Sequence, residues 1–373
     1  MRRDGPQESL PRFQHFRNRC QVLVDCAILV FAARFAYSLP YPNDKAIDSQ
    51  SRRNPMKSCS QKVAVIIPTY NRANYLVEAI KSALSQDYPE IFVIVVDDGS
   101  TDQTKEVCMG LLRQFPNRLQ YTFQENRGCA SARNKGLSLI DEDIEYVCFL
   151  DSDDRLLPGK LTREVNLLHE NSDIDFCYSS SILYDEATEE EHLQEVAALG
   201  RPEEFALEHF LTNEAKVSAM LYRARLFKKF RFREDLRYNE DSELLQRIAI
   251  ECRGVYSPSP GCWVRWHAGS KSRNPTEIRR AVLAASLEIL QDYPDFYAKF
   301  AKKIDRRIRS IRSGLTKELA LAGQWGEARR VAATLTDRWL ATIRFRTYFS
   351  MRGFLGQRTN WLHRKLKSLN SVR

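Results

Sequence analysis

Between Lys62 and Leu150 the chain alternates two patterns. Three short, continuous apolar runs, Lys62 to Ile67, Ile91 to Val96 and Tyr146 to Leu150, are rich in β-branched and aromatic residues, and Leu119 to Phe123 reads as a further strand between the last two. Runs without an alternating polar face are those of strands covered on both sides in a parallel sheet. Between them lie segments with apolar residues three or four apart: Leu76, Ala79, Ile80 and Ala83 after Asn74, and Val107, Leu111 and Leu112 after Asp102. A third helix, holding Arg133, Asn134, Leu137 and Leu139, is read after Ser131. That spacing gives one stripe of an amphipathic helix, and Thr101 or Asp102 suits the cap of the second. Strands alternating with helices predict an open α/β sheet flanked by helices.

Each of these strands ends in polar residues: Thr69 to Arg72, Asp97 to Asp102, Glu125 to Arg127 and Asp151 to Asp154. Open α/β sheets bind ligands at the carboxyl ends of their strands, so these ends predict one shared crevice. The last of them, Phe149-Leu150-Asp151-Ser152-Asp153-Asp154, carries the clearest chemistry. Carboxylates two apart point at one site while Ser152 turns away. Such a pair suits a hard divalent cation, which takes oxygen ligands and bridges to phosphates. Alone, the triplet reads first as an acidic turn that ends a strand. Its place after three other polar ends shifts the reading to a binding site.

Further along, Ser218-Ala219-Met220-Leu221-Tyr222 predicts another strand. Arg237-Tyr238-Asn239-Glu240-Asp241 then leads into a helix with Leu244, Leu245, Ile248 and Ala249 inward. Asn239 or Asp241 suits its cap, and both acids favour the positive end of its dipole. Either acid is equally a candidate proton acceptor. Arg265-Trp266-His267-Ala268-Gly269-Ser270 closes this region, and a lone His beside Trp is most often a packing or surface residue. The acidic stretch from Asp185 to Pro202 reads as a surface loop or insertion, and Glu203 to Thr212 as a helix. From Thr276 the spacing is helical. Ala320 to Arg329 has the form of the turn in a tetratricopeptide-like hairpin, without the repeats of a solenoid.

Composition narrows the partners more than the fold. The 373 residues are 43% hydrophobic and 28% charged, which excludes wholesale disorder. The net charge of +9 is uneven: residues 274–373 hold 21 Lys and Arg against 8 Asp and Glu, so the rest is net acidic. A basic end suits an anionic membrane surface or nucleic acid. Its last part, Trp339 to Arg373, interleaves aromatics with Arg and Lys. That mix fits peripheral contact with an anionic bilayer, or equally a solvated basic face. The nine cysteines are irregularly spaced and lack a C-x-x-C pair. This argues against a zinc site or disulfide framework and for a reducing, cytoplasmic setting. Cys20 to Tyr37 contains Asp25 and Arg34 and falls short of the roughly 20 apolar residues of a membrane span. It reads as an amphipathic or poorly ordered extension, followed by a Ser-, Asn- and Pro-rich linker to Gln61.

Four motifs now stand in order: Pro68-Thr69-Tyr70-Asn71-Arg72; Val96-Asp97-Asp98-Gly99-Ser100-Thr101-Asp102; Asn126-Arg127-Gly128 with Ala130-Ser131-Ala132-Arg133-Asn134; and Leu150-Asp151-Ser152-Asp153-Asp154. Together they resemble the family 2 glycosyltransferases of GT-A fold. Each is weak singly; the ordered set is strong. The resemblance divides the chain into an extension and linker (1–61), a GT-A-like domain (62–273) and a basic helical region (274–373). It implies inverting transfer of a sugar from a nucleotide diphosphate donor, most often UDP-linked, to a saccharide or lipid-linked acceptor. Mn2+ or Mg2+ would assist, and cell-envelope or surface polysaccharide or glycolipid would be the product. By the same resemblance Asp98, with Asp97, meets the nucleobase, while Pro68, Tyr70 and Asn71 line base and ribose. Arg133 lies near the diphosphate, with Lys271 and Arg273 screening phosphate. Asp153 touches the metal, Asp151 the ribose or a metal-bound water, and His267 the metal or the diphosphate. Asp241 is the general base; Glu240 contacts the acceptor and is the runner-up. Two other classes remain, a sugar-nucleotide-binding protein of this fold without chemistry and a nucleic-acid binder acting through the basic tail. The presence of each expected acid disfavours the first, and the second predicts that Trp339 to Arg373 alone binds oligonucleotides with a strong salt dependence.

Overall fold

The apolar runs and helical stripes become, in chain order, β1 (Lys62–Thr69), α1 (Ala73–Leu84), β2 (Ile91–Asp98), α2 (Thr104–Gln114), β3 (Leu119–Gln124), α3 (Cys129–Leu137) and β4 (Ile144–Phe149). After them come β5 (Arg155–Leu156), α4 (Lys160–Glu170), β6 (Phe176–Asp185), β7 (Glu190–Gln194), α5 (Pro202–Thr212), β8 (Met220–Arg223), α6 (Glu240–Glu251) and β9 (Gly254–Trp266). Helices α7 (Pro275–Asp292), α8 (Pro294–Leu321) and α9 (Trp325–Ala333) follow. This computed structural model describes residues 61–199, 201–270 and 274–334. Cys20 to Tyr37, the linker up to residue 60, Lys271, Arg273 and Trp339 to Arg373 lie outside them.

The strands form one mixed sheet in the order β3-β2-β1-β4-β8-β6-β9-β5, with β7 paired to the second half of β6. β1 to β4 run parallel, as the unbroken runs of β1, β2 and β4 predict. β8 is antiparallel to both β4 and β6, and β9 lies between β6 and β5. Alternate residues of β1 and β2 feed two cores. Ala64, Ile66, Ile94 and Val96 join Ala130, Ala132 and Leu137 of α3. Val63, Val65, Ile67, Val93 and Val95 join Leu76, Ala79, Ile80 and Ala83 of α1 and Leu111 of α2. Full burial of one such Val or Ile is worth about 1.5–3 kcal/mol, so a polar replacement at any of these positions is costly on either face. At Gly136, α3 comes so close to β1 that a Cβ there would overlap Ile66.

Three features differ from the sequence reading. β1 and β2 run on to Thr69 and Asp98, so Asp97 and Asp98 are strand residues, paired with Phe123 and Gln124. The Asp185 to Pro202 stretch is not a plain loop, because β7 folds back on β6 there as an exposed strand. The strand expected from Ser218 starts at Met220, after a 3-10 turn at Val217–Ala219. Ser218 leaves the strand because its hydroxyl donates to Asp154 at 3.0 Å and accepts the Asp151 N–H at 3.2 Å. The helices after Thr276 appear as expected, and α8 and α9 form the hairpin, with Gly323 at φ +77° in its turn. They pack on the body: Phe296 meets Phe210 edge-on at 6.0 Å, and Ile304 and Ile308 enter the α3-side core. No described helix is long and apolar enough to cross a membrane.

Candidate active site

Because β3, β2, β1 and β4 are neighbours and parallel, their carboxyl ends stand side by side. Side chains reaching from one strand end to the next fix the loops there. Asn71, in the left-handed region at φ +52°, accepts the N–H of Thr101 at 2.8 Å and of Asp102 at 3.3 Å. Asp102 accepts the N–H of Ala73 at 3.1 Å and of Thr104 at 3.0 Å, closing the first turns of α1 and α2. Against the upward push of desolvation, the Thr104 hydroxyl and then these N–H bonds hold its carboxyl below the usual pKa. Asp97 is buried, with one oxygen on the Ser100 N–H and the other on the Tyr121 hydroxyl, each at 2.8 Å. Asp98 accepts from the Gln124 amide at 2.8 Å, the Arg127 N–H at 2.9 Å and the Gly128 N–H at 2.8 Å. A carboxylate offers about four acceptor positions, so Asp98 keeps room for one ligand N–H. Pro68 is buried below these loops, and Tyr70 stands exposed above them.

Past β4 the chain turns tightly, the Asp154 N–H bonding the Asp151 carbonyl at 3.0 Å. The three carboxylates of the turn go to different partners. Asp151 accepts from Arg133 Nη2 at 2.7 Å, while Arg133 Nη1 donates to Glu240 at 3.0 Å. Arg133 comes from α3 and is 2% exposed. Burial opposes its charge, but the surrounding anions, Asp151, Glu240 and Asp241 among them, hold its pKa well above the ordinary value. Desolvation, with Asp153 and Asp241 adding to it, pushes the Asp151 carboxyl up against the pull of Arg133. Asp154 is buried between the Arg265 N–H at 3.1 Å and Ser218. Burial first, then Asp151 and Asp153, raise its pKa well above the carboxylate range.

Asp153 takes the outer position. Its Oδ2 lies 3.0 Å from His267 Nε2 and 3.5 Å from Arg72 Nε. His267 Nδ1 accepts the Gly269 N–H at 3.1 Å, so the ring proton sits on Nε2 and points at Asp153. Tyr75 packs on the imidazole at 4.9 Å, and Arg72 Nη2 donates to the Gly269 carbonyl at 3.1 Å. Glu240 and Asp241 open α6. Glu240 is buried on Arg133, whereas Asp241 is half-buried, with one oxygen on the Ser242 N–H at 2.8 Å.

The site residues therefore form two joined groups, Arg133 with Asp151 and Glu240, and Asp153 with His267. Arg133 faces carboxylates rather than open space at the diphosphate position the resemblance implies. Arg72, Tyr75 and Ser218 went unassigned in the sequence. Arg72 stood inside a polar strand end, and that was its only signal. A divalent cation fits this donor set in part. Asp153 offers a hard oxygen, while His267 would ligate only after moving its proton to Nδ1 and releasing Gly269. Among the described residues no cluster of three or more His, Cys, Asp or Glu surrounds a common point. One or two protein donors, completed by phosphate and water, is the usual way Mg2+ is held.

Known proteins share this chain's family and fold. Residues 64–231 match the family described as Glycosyl transferase family 2. An uncharacterized glycosyltransferase of Rickettsia prowazekii is 29% identical over 69% of this chain and 77% of its own length. One from Rickettsia typhi is 35% identical over 50% of this chain and 58% of its own, so the chain spans little more than half of that relative. Among solved structures, S. aureus TarS 1-349 in complex with UDP-GlcNAc superposes with a TM-score of 0.52 at 22% identity, covering 73% of this chain and 83% of that one. Mannosyltransferase PcManGT from Pyrobaculum calidifontis, in complex with GDP-Man and Mn2+, gives 0.51 at 19% identity over 89% of each chain. At such identities the likeness is one of fold, the curled open sheet flanked by helices of GT-A type.

Proposed function

We propose, since residues 64–231 belong to glycosyl transferase family 2, that the chain is an inverting transferase moving a sugar from a nucleotide diphosphate donor, UDP-linked, to an acceptor hydroxyl. One observation carries this reading: a single buried guanidinium, Arg133, holds both Asp151 at the end of β4 and Glu240 at the start of the helix bearing Asp241. On this reading the donor carboxylate Asp151 and the acceptor carboxylate Glu240 are tied to one side chain.

The chemistry follows from that arrangement. As the bond from sugar to diphosphate breaks, the leaving group gains negative charge, and groups already in place to receive it lower the barrier. Asp153, joined by His267 in its other tautomer, would hold Mn2+ or Mg2+, which when bound neutralises that charge. Asp151 would orient the ribose or a metal-bound water. Asp98 would accept the nucleobase N–H, in a frame made by Pro68, Tyr70, Asn71 and Asp97. On the opposite face of the sugar, Asp241 takes the acceptor proton as the new C–O bond forms, so no covalent intermediate arises and configuration inverts. Glu240 suits this less well, because Arg133 already occupies its Oε1; it is better placed to contact the acceptor. The basic residues of 274–373 support attachment to the cytoplasmic face of a membrane and a lipid-linked or saccharide acceptor, in cell-envelope or surface glycan synthesis.

Nucleotide release measured across donor sugars, with Mn2+ and with chelator, tests the reading, and NMR of the product gives its anomeric configuration. Transfer should vanish with chelator and in Asp153→Ala and Asp241→Asn, while circular dichroism shows an unchanged fold. Retained configuration, or wild-type turnover in both variants, overturns it.

A further inference from the structure

Helices α5 and α6 meet through polar rungs as well as apolar contacts. Asn213 Nδ2 donates to Asn239 Oδ1 at 3.2 Å, His209 Nε2 donates to the Ser242 carbonyl at 3.1 Å, and Gln246 Nε2 donates to the Ala206 carbonyl at 2.9 Å. Positions 213, 209 and 206 pair with 239, 242 and 246, so there is one rung per turn between antiparallel helices. His209 and Gln246 are each 3% exposed. His209 Nδ1 and Gln246 Oε1 have no hydrogen-bond partner, and both residues line a narrow cleft between α5, α6 and α7. A buried polar atom without a partner is destabilising, because its lost hydration is not replaced. An apolar pair in these places would avoid that cost, so the rungs are better explained by the register they impose than by stability.

That register is delivered to the reacting end of α6. Ser242 is held from both sides: its N–H donates to the Asp241 carboxylate at 2.8 Å, and its carbonyl accepts the His209 Nε2–H. Asn239, directly before Glu240, lies in the left-handed region at φ +65°, and Asn213, at the end of α5, lies there at φ +59°. Asn tolerates that region better than most residues but does not favour it. Each therefore gains from a partner, and each is the other's.

We propose that His209 is a positioning residue for sugar transfer, which together with Asn213 clamps the first turn of α6 so that the Asp241 carboxylate is fixed against the acceptor hydroxyl. The proposal rests on Asp241 as the base. His209 acts through the backbone of Ser242 and touches neither donor nor acceptor. Its loss lowers kcat and leaves donor affinity alone.

The test uses the full chain. His209→Gln keeps a donor nitrogen near the Nε2 position, and His209→Phe keeps the bulk without a donor. Small misplacements of a reacting group are worth up to about a hundredfold in rate, so His209→Phe should lower kcat roughly tenfold or more with donor KM within about twofold. His209→Gln should stay within roughly threefold of wild type. Wild-type kcat in His209→Phe overturns the proposal, and so does an equal loss in both variants, which marks packing alone. If His209→Phe does not fold, Asn213→Ala removes the outer rung. A fall in its kcat at unchanged KM supports the clamp, and unchanged kcat overturns it. Failure of the wild-type chain to transfer any sugar would refute the enzymatic reading instead, and is seen before a variant is made.

Discussion

Arg133 is the residue whose replacement tells most. It is buried, and each of its carboxylate partners takes a different nitrogen. Arg133→Met leaves Asp151 and Glu240 facing each other without a counter-ion. Breaking such a pair costs about 3–5 kcal/mol, which a urea midpoint should register. Arg133→Lys restores the charge, but a single ammonium lacks the fork that reaches both acids. Transfer should then fall by about tenfold or more, with stability partly recovered. The residues at strand ends were legible in the sequence because polar groups stood where a buried strand had just finished. The partner of Arg133 was not legible. Glu240 lies 107 positions away, and neither side chain carries a mark of the other. Arg72 and Ser218 were missed for the same reason, since their roles exist only across the folded crevice.

At the scale of elements, β1, β2, β4 and the helices α1 and α2 were readable because burial on both faces leaves an unbroken apolar run, and burial on one leaves a stripe; β3, at the sheet edge and only partly buried, alternates instead. β7 was not, because its side chains are exposed or nearly so and a polar strand looks like a loop. The fit of α3 against β1 gives a direct check. Gly136→Ala would force a methyl into Ile66, and overpacking of this kind costs about 1–3 kcal/mol. A thermal melt of the variant should be lower while circular dichroism at room temperature is unchanged. The α5–α6 contact makes stability depend on pH. Burial lowers the His209 pKa from 6.5 to about 4. The unfolded chain then binds a proton over a range where the folded chain does not. Stability from this group is full above pH 6.5 and is lost as pH falls toward 4, by up to about 3 kcal/mol. Urea midpoints between those limits should show this slope, and His209→Gln should flatten it.

For the molecule as a whole, the helical region after residue 274 is part of the core. Phe296, Ile304 and Ile308 pack in the same cluster as Phe205 and Leu244. At about 1.5–3 kcal/mol each, those three side chains rival the whole stability of a domain. A chain ended at residue 273 is therefore expected to lose cooperative unfolding, read as a broad melt beside the sharp one of the full chain. The helical spacing was plain in the sequence, but the surface that receives it was not, because charge and periodicity mark a helix without saying what it covers. The sheet order sets a timetable as well. β9 fits between β6 and β5, yet about 70 residues must be synthesised after β6 before β9 begins. At roughly 5–20 residues per second, one edge of β6 stays open on the ribosome for several seconds. His267, just beyond β9, reaches Asp153 only when that edge closes. The nascent chain thus holds its donor loops long before it owns the partner of Asp153, and an exposed sheet edge is its hazard in the interval.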